Sequence, residues 1–228
     1  MPEFLTIVTS SIRGLSSASV YNILSSNIIN LVQYIFTIVL NKNGYKLKNN
    51  AITADLVMVI LTIIIPITLL IFDIEINLSI VPLFIILYMF FMHINSNAHK
   101  LYLEKEDKEL SNEIEQEKKD KIVNKNKIFI YVLALGVTGL LLFFIGNKLG
   151  NTLEVLCNAF NVSQKLIGIF LGSITSLPEL ITFLESQKHH KKSNNDMLGV
   201  VEATNNLLTS NTLNLFIIQS IGIIILTL

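Results

Sequence analysis

Seven apolar runs divide this chain, at residues 2–12, 16–40, 51–72, 76–94, 128–145, 166–186 and 197–228. Most hold close to 20 consecutive residues with almost no charge, and a helix of that length crosses the ~30 Å of hydrocarbon in a bilayer. Repeated along one chain, the pattern predicts an all-α polytopic transmembrane helical bundle in contact with the lipid bilayer. Composition agrees, with 51% hydrophobic and 15% charged residues and a mean hydropathy of +0.59. An ordinary soluble domain, a collagen, a disulfide scaffold and a disordered chain are all excluded. Lys plus Arg equals Asp plus Glu at 17 each, so the basic footprint that nucleic-acid binding needs is missing. The single cysteine, Cys157, has no second thiol for a disulfide or a metal knuckle and reads as a small packing residue. A less apolar stretch at 151–162 reads as an amphipathic lead into the sixth run.

The first run is too short to span. As a helix it rises ~16 Å, about half of a bilayer core. Glu3 precedes its apolar residues where a signal peptide would carry basic ones. The chain therefore reads as starting inside a helix, and the run at 197–228 ends as abruptly. Residues 95–127 form the one soluble-looking segment, with eight Lys and eight acidic residues. Pairs such as Glu104 with Lys108 and Glu117 with Lys121, four residues apart, predict a solvated helical linker. It separates a first half, 1–94, from a second, 128–228. The connections at 41–50, 95–127 and 187–196 share one side by parity and hold 14 of the 17 basic residues. The positive-inside rule makes that side cytoplasmic, with the plasma (inner) membrane the expected location. His189 and His190, beside Lys188 and Lys191, read as part of this positive charge. Glu154 and Glu202 read as solvated or interfacial acids.

One motif occurs twice. Asn22 to Leu31 reads N-I-L-S-S-N-I-I-N-L and Asn206 to Leu215 reads N-L-L-T-S-N-T-L-N-L, sharing Asn, Ser, Asn, Asn and Leu in one register. Each copy follows a Pro-Glu step, Pro2-Glu3 or Pro178-Glu179. Glu3 precedes Asn22 by 19 positions and Glu179 precedes Asn206 by 27, a difference that the 187–196 loop absorbs. The turns within the two copies fall on opposite sides, so the repeats are expected to be inverted, as in many secondary transporters. A carboxylate deep in hydrocarbon costs at least ~2.5 kcal/mol and persists where it faces a polar cavity or a cation. Proline beside it removes a backbone donor and frees a carbonyl one turn earlier. Thr175 and Ser176 add hydroxyl and carbonyl oxygens just before Pro178. These are hard donors, suited to Ca²⁺ and Na⁺. A bare kink with a snorkelling Glu is the simpler alternative for either copy alone. Asn27, Asn30, Asn211 and Asn214 are expected to pack helices together rather than bind ions.

The segment G-S-I-T-S-L-P-E-L at 172–180, with N-x-x-[ST]-S-N-x-x-N at 206–214 and again at 22–30, resembles the alpha-repeats of the sodium/calcium exchanger family, within the cation/calcium antiporter superfamily. The resemblance covers both repeats, the helices between them and the linker. It implies two inverted five-helix halves and a site between the repeats that binds Ca²⁺ and Na⁺. Carried over by position, the ligands would be Glu3, Asn22, Thr175, Ser176, Glu179 and Asn206. It also implies helices before Pro2 and after Leu228, so the chain reads as an incomplete 5+5 fold, truncated at both ends. Ser25, Thr209 and Ile174 stand where the family usually has Gly, which puts close helix approach at the site in question. The function implied is secondary-active exchange of Ca²⁺ for Na⁺ by alternating access. Alternatives are coupling to H⁺ or K⁺, or a truncated membrane fragment that transports nothing. The sequence carries no nucleophile-base pair, phosphate loop or His/Cys metal spacing, so neither an enzyme nor a cofactor beyond the transported ions is expected.

Overall fold

Helix ends in this chain are set by short local devices. α1, Pro2–Ile12, has proline in its first turn, where the missing N–H has no helical acceptor to lose. It stops at Gly14, whose φ of +67° lets Gly14 N and Leu15 N donate back to the Ser11 and Ser10 carbonyls. α2, Ser16–Leu40, ends in the same way at Lys42, φ 55°, with Asn43 N bonded to the Ile38 carbonyl. The Asn49 side chain caps α3, Asn50–Ile71, by accepting from Ala51 N. These ends belong to a computed structural model that describes residues 2–72, 77–120, 161–192 and 196–228, with isolated residues between 137 and 159. For 101–120, 191, 192 and 196 it describes the backbone alone.

α4, Val81–Asp120, follows a 3₁₀ turn at Leu78–Ile80 and runs without a break from apolar sequence into the Lys/Glu-rich segment. The expected linker is thus helical as far as Asp120, and it begins inside the bundle. Asn95 and His99 are buried, which a fully solvated segment would not allow. The expected run at 128–145, the 151–162 stretch and Glu154 lie outside the described residues, isolated positions apart. The run at 166–186 becomes two helices, α5, Gln164–Thr175, and α6, Leu177–Lys192, meeting at Ser176. Pro178 explains the break, because its ring cannot tolerate the carbonyl four residues earlier and it donates no hydrogen bond. The run at 197–228 is α7, Asp196–Thr212, a π-helical turn at Leu213–Ile218, and α8, Gln219–Thr227. Among the described residues five stretches are long and apolar enough to cross a membrane, and no strand occurs.

Packing follows the logic of a lipid solvent. Val32, Ile35 and Phe36 of α2, Ile60 and Ile64 of α3, and Ile86 and Phe90 of α4 face outward. Buried aromatic side chains tie the helices inside, with Phe216 edge-on to Phe91 and Phe84, and Tyr34 edge-on to Phe183. The closest helix approach is α2 on α5. A Cβ on Gly172 would stand 1.9 Å from Ser25 Oγ and 2.5 Å from the Asn22 carbonyl oxygen, and one on Gly168 would stand 2.5 Å from the Ala18 carbonyl oxygen. The glycines that close this crossing sit on α5, so Ser25 does not prevent it. Ser25 Oγ lies in hydrogen-bonding range of the Asn22 and Gly168 carbonyls.

A buried polar seam joins α2, α3 and α4 to α7. Asp55 of α3 pairs with His99 of α4, Tyr34 bonds Thr204 at 2.7 Å, and Asn95 donates to Asn205 at 2.8 Å. Asp55 is 0% and His99 2% exposed, so removing either partner strands the other away from water. His99→Ala is expected to lower stability by about 3–5 kcal/mol, the usual cost of an orphaned buried charge. Thermal unfolding in detergent measures it, and a shift no larger than that of Lys100→Ala on the exposed face would contradict the pairing.

Candidate functional site

The two Pro-Glu steps lie in first turns of helices, Glu3 in α1 and Glu179 in α6. Both are inward-facing: Glu3 is 1% exposed and Glu179 half-buried. Ser26 links their surroundings, since its hydroxyl reaches both Glu3 Oε1 and the hydroxyl of Ser176, three residues before Glu179. Each acid is met by a serine from the repeated block. Ser26 Oγ donates to Glu3 Oε1 at 3.2 Å, and Ser210 Oγ donates to Glu179 Oε1 at 3.5 Å. Glu179 Oε2 is buried and has no hydrogen-bond partner among the described residues.

Ser176, at the break between α5 and α6, completes a contact between the halves. Its Oγ lies 2.7 Å from Ser26 Oγ and 2.7 Å from the Gly172 carbonyl oxygen. Thr175 is buried beside it with its hydroxyl turned back to the Gly172 carbonyl. Glu3, Ser176 and Glu179 are therefore brought together with Thr175 alongside. The two asparagines differ. Asn22 is fully buried, one turn from Ser25 and Ser26, and neither of its side-chain polar atoms has a partner among the described residues. Asn206 donates to Ser186 Oγ at 3.4 Å, one turn further along α7 than Ser210 and away from Glu179.

Ser26 and Ser210 are the residues that reading the sequence missed. Their signal is in the sequence, since both are the Ser shared by the two copies of the repeated block. The four remaining asparagines bond one another across α2 and α7. Asn27 Nδ2 donates to the Asn211 carbonyl at 3.2 Å, and Asn211 Nδ2 donates to the Asn27 carbonyl at 3.1 Å. Asn30 Nδ2 donates to Asn211 Oδ1 at 3.0 Å, and Asn214 Nδ2 to Asn27 Oδ1 at 3.3 Å. Every one of these bonds maps onto a partner bond when the copies are exchanged, which is the contact pattern of a two-fold axis. Asn214 also sits in the π-helical turn, a feature frequent at functional sites and not visible in the periodicity.

The arrangement is an all-oxygen cluster of two carboxylates, their serine hydroxyls and the carbonyls around a proline break. Such donors suit hard cations and offer nothing to a thiophilic metal. Residues 130–228, which include Thr175, Ser176, Glu179, Asn206 and Ser210, match the sodium/calcium exchanger protein family model. No curated protein and no solved structure gives a significant match. Five membrane-capable helical stretches among the described residues mark the chain as an integral membrane protein, and the match over residues 130–228 supports a transporter of the cation/calcium exchanger type.

Proposed function

We propose that this protein exchanges Ca²⁺ for Na⁺ across the membrane by alternating access, with Glu3 and Glu179 as the paired cation-binding carboxylates. The observation that carries this reading is that two acids, one per half, are each held by the equivalent serine of the duplicated block, and that one of those serines, Ser26, also meets Ser176 three residues before the second acid. Two carboxylates sharing a site cannot both stay charged in a low-dielectric interior without a cation or a proton. One Ca²⁺, or more than one Na⁺, satisfies the pair, and mutual exclusion between them couples the two fluxes. Ser176 and Thr175 supply oxygens at the break. Ser26 and Ser210 orient the carboxylates, and Asn22 offers an unpartnered carboxamide next to Ser26. Asn206 stands one turn off, toward the Lys-rich side, which this reading takes as cytoplasmic. The two-fold exchange of contacts between Asn27, Asn30, Asn211 and Asn214 supports two halves that rock about one axis.

The test is ion-substitution flux. Proteoliposomes loaded with Na⁺ and diluted into Na⁺-free medium containing Ca²⁺ should take up Ca²⁺, and K⁺-loaded vesicles or an imposed pH gradient should not drive it. Uptake driven by the pH gradient alone would move the assignment to H⁺ coupling. No uptake under any gradient, from protein that is folded by its melting curve, would refute transport by this chain.

A further inference from the structure

We propose that the cavity between α6 and α7 is the route by which cations reach Glu179 from the Lys-rich side, with Glu202 as a recruiting carboxylate at its mouth. The proposal rests on the exchange reading above and extends it to residues outside the ion site. Three polar rungs connect α6 to α7, one turn apart along α7 and two turns then one turn apart along α6. They are Glu179 with Ser210, Ser186 with Asn206 at 3.4 Å, and His190 with Glu202 at 2.8 Å. Residues 202, 206 and 210 recur every four positions and so line one face of α7. A cavity of about 470 Å³ opens along this seam, lined by Thr182, Glu185, Ser186, Lys188, His189 and Glu202. Thr182, in this lining, is one turn from Glu179 along α6. Glu185 and Glu202 outweigh Lys188 at its walls, which favours cations over anions.

Glu202, expected to be solvated or interfacial, is partly exposed and has a partner. It is held by His190, which itself is buried against Gly199. The first half lacks the same opening. By the repeat offset, Asn22 and Ala18 are the counterparts of Asn206 and Glu202 and are 0% exposed where those two are partly exposed, while Ser10 and its counterpart Ser186 are both buried. Ala18 also lies under Gly168, in the tight α2–α5 crossing. One side of the molecule is open at positions where the other is sealed. The acid that marks the open side has no counterpart on the sealed one.

Cysteine labelling and kinetics test this in a Cys157→Ser background. Thr182→Cys in inside-out vesicles should react with a charged, membrane-impermeant methanethiosulfonate, and Ser10→Cys should not react from either side. Glu202→Gln should raise the KM for Ca²⁺ by about fivefold or more at low salt, less at high salt, with kcat retained, because a lost steering charge acts on encounter. Failure of Thr182→Cys to label when Lys188→Cys does, or an unchanged KM in Glu202→Gln, would overturn the proposal. If the exchange reading itself were wrong, wild type would show no Na⁺-driven Ca²⁺ uptake or Glu179→Gln would retain it; if only the route is wrong, wild type takes up Ca²⁺ and Glu179→Gln does not, while Thr182→Cys stays unlabelled or Glu202→Gln keeps the wild-type KM.

Discussion

Glu179→Gln should abolish Na⁺-driven Ca²⁺ uptake by proteoliposomes carrying this protein. The substitution keeps the shape of the side chain and removes its charge. Its Oε2, buried and unpartnered, is the oxygen best placed to meet a cation, and Ser210 would still find an amide oxygen to bond. With one carboxylate gone the pair can no longer neutralise a divalent ion. Losing a charged contact of this kind costs roughly 3 kcal/mol, about a hundredfold in affinity. The fold should survive, because Glu179 is half-buried and its neighbours keep their partners. The melting temperature is therefore expected to be unchanged or raised, since a polar interior without its cation is relieved by the neutral side chain. Wild-type uptake in this variant would remove Glu179 from the ion site. Glu3→Gln is expected to match it in transport, as the member of the pair donated by the other half.

Gly172→Ala should disrupt the bundle and transport together. A methyl group there would stand 1.9 Å from Ser25 Oγ, 2.5 Å from the Asn22 carbonyl oxygen and 2.8 Å from Ser26 N. A serine hydroxyl can rotate away, but two backbone atoms of α2 cannot, so the helices must separate. Overpacking of this sort costs about 1–3 kcal/mol. The functional loss is expected to be larger than the stability loss, because the same crossing holds Ser26 Oγ 2.7 Å from Ser176 Oγ beside Glu3. Pairing the change with Ser25→Gly relieves one of the three contacts, so it should restore part of the melting temperature and little of the flux. A Gly172→Ala protein as stable and active as wild type would contradict the close approach.

The sequence made the helices and their order legible for a physical reason. In hydrocarbon every backbone polar group must be satisfied within its own segment, so length and composition alone mark the membrane stretches. That is why α2 and α3 match their expected runs within a residue or two, and why Pro178 already signalled the break at Ser176. The Pro-Glu repeat likewise marked Glu3 and Glu179, because an acid in an apolar run demands an explanation wherever it packs. Periodicity failed where partners are remote. Ser26 and Ser176 are 150 residues apart, and nothing local distinguishes a serine that holds a carboxylate from one that merely lets helices pack. The G-x-x-x-G at Gly168 and Gly172 was readable as a close-packing face, but not which helix it would receive.

What the sequence determined by itself is thus an all-α membrane chain with two acids in duplicated settings, properties carried by local composition and by a repeat that can be counted. Only the tertiary structure decided that those acids are met by Ser26 and Ser210 with Ser176 beside them, that Asp55 pairs with His99, and that Glu202 lines a cavity and is held by His190. Those outcomes depend on how helices cross, and a crossing is set by which small residues let two backbones meet, a property of pairs of segments that no single segment contains.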